Sequence, residues 1–357
     1  MKSETGRAGA WLVFAVLLGL GGVAFWYVTS QRAPVGSQVT PAPAKTEQTT
    51  KADIAAGDTK PRPKPAPEQV RLLQVPSRPA GDVIKAIVPT KYKRGLFWKL
   101  ERPGFRPSYL LGTAHSGDQR VLQVIPRIKK QLDQAEALCT ELKLDFFTVF
   151  SITKVMLYSG GKTLKSEIGD KLYTQVLEVA RKRGLSAEQL NRFKPWAVTM
   201  TFSLPEKERR GAGLDMKLYA EAARQRKKLC GLEEVQEQIS VFANMPLADQ
   251  VRLLQLTIDH YDKIQQQTDA LIQHYSNGDL ASMARLMTQS PLTKDDKITN
   301  DFVFSLVVRR NYVMANRMQP YLRQGNAFIA IGALHLPGRQ GVLRLLESMG
   351  YKVTRIF

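Results

Sequence analysis

Two apolar runs far apart in the chain share one pattern of hydrophobic and polar positions. Tyr109-Leu110-Leu111 leads to Gly112 and then His115; Phe328-Ile329-Ala330-Ile331 leads to Gly332 and then His335. Each run has the length of a buried strand, each glycine allows a tight turn, and a helical pattern and a further strand follow. One Gly-x-x-His carries little weight. Two copies in matching contexts predict two half-repeats with their histidines at equivalent strand ends.

The other elements follow from the same reading. Residues 95–100, a turn at Pro103-Gly104 and residues 108–111 predict a hairpin. Pro126 suits the first turn of a helix running to about Ala135. Residues 137–144 then read as a strand, completing a βαβ unit that implies parallel pairing. Residues 151–204 are helical in pattern, with a break at Lys194-Pro195-Trp196. Another helix opens near Gly213, a short strand covers 228–232, and helical patterns fill 235–274 and 301–318. A helix over 341–348 and a strand over 352–356 close the chain. The expected fold is α/β: a mixed sheet built from the two Gly-x-x-His half-repeats, with a large helical insertion, over residues 83–357.

The N-terminal part is patterned differently. Residues 10–28 carry no charge, with Trp11 at one end and Phe25, Trp26 and Tyr27 at the other. That run predicts a transmembrane anchor or signal-anchor, with residues 1–9 in the cytoplasm and a cleaved signal peptide as the rival. Residues 29–82, rich in Pro and Ala, predict a disordered tether.

Composition narrows the partners. A formal charge of +20 admits an anionic partner, and a basic adaptor on anionic envelope polymers is one reading. The charge is scattered, however, with no basic run interleaved with aromatics and no nucleic-acid module, so no nucleic acid is expected. Cys139 and Cys230 fall in short apolar runs and read as small core residues, with a single bridge as the alternative. No structural-zinc spacing, GxSxG elbow, GxGxxG after a strand or Walker A motif is present.

Candidate chemistry gathers on a few residues. In parallel sheets ligands collect at the carboxyl ends of strands, where His115 and His335 are expected. Two imidazoles with carboxylates suit a divalent metal. Glu141 lies on an otherwise largely apolar strand, where a cation or metal would offset its burial; a solvated strand face is the alternative. Asp215 and Glu233 either cap their helices or face the cleft. Arg309 and Arg310 follow an apolar helical run, and either could clamp a carboxylate or an oxyanion if turned inward. His260 and His274 read as surface residues.

These stretches together resemble the TraB/GumN family, which also includes the TIKI proteases and pheromone-shutdown proteins. The matching residues are Tyr109 to His115, Glu141, Lys194-Pro195-Trp196, Gly213-Leu214-Asp215, Gly231-Leu232-Glu233 with Gln238, Arg310-Asn311, and Gly332 to Gly338. The resemblance implies a metal-dependent hydrolase, metalloprotease-like and acting on a peptide or another small extracytoplasmic substrate. Carried over, His115, Glu141 and His335 form the metal and catalytic centre and Arg310 is an electrostatic helper. Asp215 and Glu233 rank second. The implied cofactor is a divalent ion: manganese, cobalt or zinc. The N-terminal span and Pro/Ala tether depart from the animal TIKI proteins and look bacterial. They place the chain as a single-pass protein of the inner membrane, its globular domain in the periplasm or outside the cell. The rival function is a non-catalytic protein that binds or sequesters a peptide in the same cleft.

Overall fold

The computed structural model describes residues 72–79, 83–204, 213–288, 301 and 303–357. Among them, six strands form one mixed sheet: β1 (Phe97–Glu101), β2 (Ser108–Thr113), β3 (Ala137–Thr140), β4 (Lys228–Gly231), β5 (Ala327–Gly332) and β6 (Lys352–Arg355). Their spatial order is β4-β3-β5-β2-β1-β6. The four strands from β4 to β2 pair in parallel, while β1 pairs antiparallel with both β2 and β6. The α/β class, the helical insertion and the expected hairpin are all found.

The βαβ unit needs one amendment. β2 and β3 run parallel, but β5 lies between them. Every residue of β5 is buried, as suits a central strand covered on both faces. The two half-repeats therefore meet directly, with Thr113 opposite Gly332. Four carboxyl strand ends consequently open on one edge of the sheet, where chain reversals leave room for a ligand.

The insertion between β3 and β5 is helical apart from β4. Its break at Lys194 has a local cause: Lys194 is the N-cap and Pro195 the first residue of the helix Pro195–Ser203, a position that needs no N–H donor. That helix is buried on every side, and its terminal carbonyls need partners. The buried Arg183 supplies them, donating to Thr201 O at 2.9 Å and Phe202 O at 3.0 Å.

Three expectations are corrected. The strand expected over 137–144 stops at Thr140, so Glu141 lies just past its end. Cys139 and Cys230 are not separate core residues; they are bridged. They sit opposite each other on β3 and β4 with Cα atoms 4.6 Å apart, a spacing a disulfide requires. Adjacency of two strands 91 residues apart leaves no local trace in sequence. The third concerns the membrane. Among the described residues no helix is long and apolar enough to cross one, against a single-pass inner-membrane protein. The expected span, residues 10–28, lies outside the described residues, as does most of the tether. Part of the tether's end is docked: Leu73 exchanges two hydrogen bonds with the Asn316 side chain, at 2.9 and 2.8 Å.

Closing so long a loop restricts the unfolded chain, so Cys139→Ser with Cys230→Ser should cost about 2–5 kcal/mol. Urea unfolding of the double variant, and of the oxidised protein with and without reductant, measures it. Coincident curves would mean that the bridge adds nothing.

Candidate active site

Each strand end at the open edge delivers one side chain. β2 runs out into His115, β3 into Glu141, β4 into Glu233 and β5 into the tight turn Ala333–His335. The ring nitrogens Nε2 of His115 and His335 both face the same Glu141 oxygen, Oε1, at 4.0 and 3.8 Å. Side-chain exposure is 12% for His115, 2% for His335 and 5% for Glu141. Three donors from three strands thus converge in a nearly dry space.

The far side of each imidazole is held. His115 Nδ1 lies 2.9 Å from Asp215 Oδ2, and the Thr113 hydroxyl donates to Asp215 Oδ1 at 2.7 Å. Because a carboxylate only accepts, Nδ1 carries the proton. His335 Nδ1 lies 2.7 Å from Asn311 Oδ1, while the Asn311 amide nitrogen donates to Gln340 O at 2.8 Å, which fixes the amide orientation. His335 therefore also carries its proton on Nδ1. Both Nε2 atoms are left facing inward, and His115 Nε2 is buried with no hydrogen-bond partner.

Glu141 is pinned on both oxygens. Oε1 accepts the Gly332 N–H at 2.7 Å, and Oε2 accepts Arg310 Nη2 at 2.7 Å and Gln238 Nε2 at 3.1 Å. Arg310 also grips Glu233, with Nε to Oε1 at 2.8 Å and Nη2 to Oε2 at 2.7 Å, and gives Nη1 to Leu306 O at 3.1 Å. Gln238 completes the bracket by donating to Glu233 Oε2 at 2.9 Å. Burying two carboxylates here is tolerable because one fork-shaped cation spans them. The guanidinium is turned inward but occupied.

Charge explains the remaining proton preferences. Burial pulls His115 down, but the Asp215 charge and hydrogen bond, followed by Glu141, outweigh it and push the ring up to about 9. Burial draws His335 well below the ordinary histidine range, and Arg310 adds to the effect, so this ring is neutral. Burial raises Asp215, yet His115 and the Thr113 hydroxyl bring it below the usual carboxylate range. Three carboxylates against one guanidinium leave a surplus of two negative charges when both imidazoles are neutral. The pocket attracts positive charge at Nε2.

The six residues picked from sequence form one connected network. His115 and His335 converge on Glu141, Asp215 holds His115 Nδ1, and Arg310 joins Glu141 to Glu233. Neither acid is its helix's N-cap: Gly213 caps the helix Leu214–Arg224 and Glu234 the helix Val235–Ala243. Arg309 is exposed, and His260 and His274 sit half-buried in the helical insertion. Asn311, Gln238 and Thr113 were not identified as site residues. All three are buried, but Asn311 and Gln238 lie in polar stretches of sequence, Arg309-Arg310-Asn311 and Gln236-Glu237-Gln238, so only their place in the family resemblance pointed to them.

A cation's fit can be tested on these atoms. An inward-facing Nε2 on each ring, with a second partner holding each Nδ1, suits a metal that displaces the His115 Nε2 proton, and so does a cradle at Gly332. A Cβ on Gly332 would stand 3.0 Å from Glu141 Oε1, 3.4 Å from His335 Cδ2 and 3.8 Å from His115 Nε2. Only glycine leaves that space open. Against this, among the described residues no group of three or more His, Cys, Asp or Glu side chains is already set as a metal cage. Both Glu141 oxygens are already engaged, by Gly332, Arg310 and Gln238.

The model of the TraB/PrgY/gumN family matches residues 96–355, a span holding both half-repeats and all six site residues. The chain belongs to the TraB/PrgY/gumN family. Metalloprotease TIKI1 of Danio rerio is 28% identical over 329 residues, covering 78% of this chain and 66% of its own length. Metalloprotease TIKI2 of Danio rerio is 29% identical over 319 residues, covering 74% and 62%. The chain thus spans just under two thirds of the length of these relatives. Uncharacterized protein YbaP of Shigella flexneri is 24% identical over 254 residues, covering 69% of this chain and 89% of its own.

Proposed function

We propose that the chain is a divalent-metal-dependent hydrolase of peptides, with His115 Nε2, His335 Nε2 and Glu141 Oε1 holding the ion. The observation that carries the reading is the convergence of both Nε2 atoms on one carboxylate oxygen, with each Nδ1 already engaged. The relatives named metalloproteases support the reaction class. When bound, a divalent ion supplies Lewis-acid polarisation of a peptide carbonyl and acidification of a water.

The chain's own residues have distinct parts. Asp215 and Asn311 keep the proton on Nδ1 and so keep Nε2 available. Arg310 commits four of its five N–H groups to Glu141, Glu233 and Leu306 O and positions the Glu141 carboxylate. Gly332 donates to Glu141 and leaves the cradle empty of side chain.

Two measurements test this reading. Purified protein given a peptide mixture with manganese, cobalt or zinc should cleave it, and a chelator should stop cleavage. Peptide bound without turnover under every ion would favour capture without cutting. Asp215→Asn, which keeps the shape but loses the charge behind His115, should weaken metal affinity about 10–100-fold. Unchanged affinity by competition titration would remove Asp215 from this role.

A further inference from the structure

Three phenylalanine rings stand in solvent just beyond Glu141. Phe146 is 66% exposed, Phe147 77% and Phe150 49%. The Phe146 ring lies 6.0 Å from that of Phe147 and stacks 6.3 Å from that of Phe150, so they form one patch. Their helix, Phe146–Met156, is anchored by its other face through Val149, Ile152 and Met156. Core packing does not require these rings, and a contiguous exposed apolar patch marks a contact with something else.

Position says what that contact is. Phe146 follows Glu141 by five positions, so no more than roughly 17 Å of chain lies between the centre and the patch. The helix packs against Val235–Ala243, which begins two residues after Glu233. The patch therefore borders the edge of the sheet that carries the site. Charge adds a preference. Asp145 is turned to cap its helix through Thr148 N–H at 2.9 Å and meets Lys143 at 3.2 Å, while Lys154 lies exposed one turn beyond Phe150. The stripe presents rings and a cation outward.

Resting on the peptide reading above, we propose that Phe146, Phe147 and Phe150 form a subsite for apolar side chains of an extended, acidic peptide. An extended peptide advances about 3.3 Å per residue, so the patch reads side chains within about five residues of the reacting bond. Leucine or phenylalanine side chains pack on the rings, and an acidic side chain reaches Lys154.

Equilibrium binding tests this without any turnover. The probe is a fluorescein-labelled peptide of leucine, phenylalanine and aspartate, beside the same peptide with serine at every apolar position. Wild type should prefer the apolar peptide. Phe147→Ser with Phe150→Ser should bind it about tenfold more weakly while unfolding at the wild-type temperature, because both rings are exposed. His115→Ala should keep the preference. If no peptide is ever cleaved but this pattern holds, the hydrolase reading fails and the subsite stands. Equal binding of both peptides by wild type, or no loss in the double variant, overturns the subsite. Two other results also overturn it, each with peptide binding unchanged: a change in sedimenting mass, which makes the patch a contact between copies, and loss of binding to phosphatidylglycerol vesicles, which makes it a lipid contact.

Discussion

Arg310→Met is expected to be the most destabilising single substitution in the domain. The guanidinium is buried between Glu141 and Glu233, 2.7 Å from a carboxylate oxygen of each. Methionine fills similar volume but leaves two buried carboxylates facing each other without a cation. Removing one partner of a buried ionic cluster costs about 3–5 kcal/mol. For a domain of this size that corresponds to a fall in Tm of roughly 10 °C. Arg310→Lys should recover part of the loss, because the charge returns but the fork that reaches both acids does not. Thermal unfolding of the three proteins settles the matter. A methionine variant as stable as wild type would mean that the carboxylates find other partners and that Arg310 does not hold Glu141 in place.

Gly332→Ala should show the reverse profile, a folded protein with a disabled site. The backbone there has φ −51° and ψ 132°, which alanine adopts without strain. Its methyl, however, would enter the space bounded by Glu141 Oε1 at 3.0 Å and His115 Nε2 at 3.8 Å. The carboxylate oxygen must move by a few tenths of an ångström, away from the point where both imidazoles aim. Displacements of that order at a reacting centre cost about a hundredfold in rate. Activity should therefore fall about a hundredfold with little change in Tm, read by peptide cleavage and circular dichroism. Wild-type activity in this variant would show that the open cradle is not where chemistry happens.

Legibility in the sequence followed the range of each interaction. The strands of the half-repeats and both histidines were visible because a buried strand ending in Gly-x-x-His leaves a local signature. The insertion of β5 between β2 and β3 was not, since pairing between residues some 190–219 apart has no such trace. The Cys139–Cys230 bridge stood only as the alternative reading for the same reason. Glu141 could be singled out as a carboxylate in apolar company, but its bond to Arg310 spans 169 residues. That distance is why Arg310 was expected to be free for an oxyanion. Asp215 shows a related limit: an acid in the first helical turn looks like a cap, and only the packing against His115 reveals its other use.

Bound metal is the most direct measure of the central claim. Protein purified without chelator, loaded with manganese, cobalt or zinc and desalted, would be assayed for each element beside His115→Ala and His335→Ala. Near one ion per chain in wild type, lost in both variants, is the predicted result. No retained ion in any of the three proteins, or equal retention in all of them, would contradict a metal held between His115, His335 and Glu141.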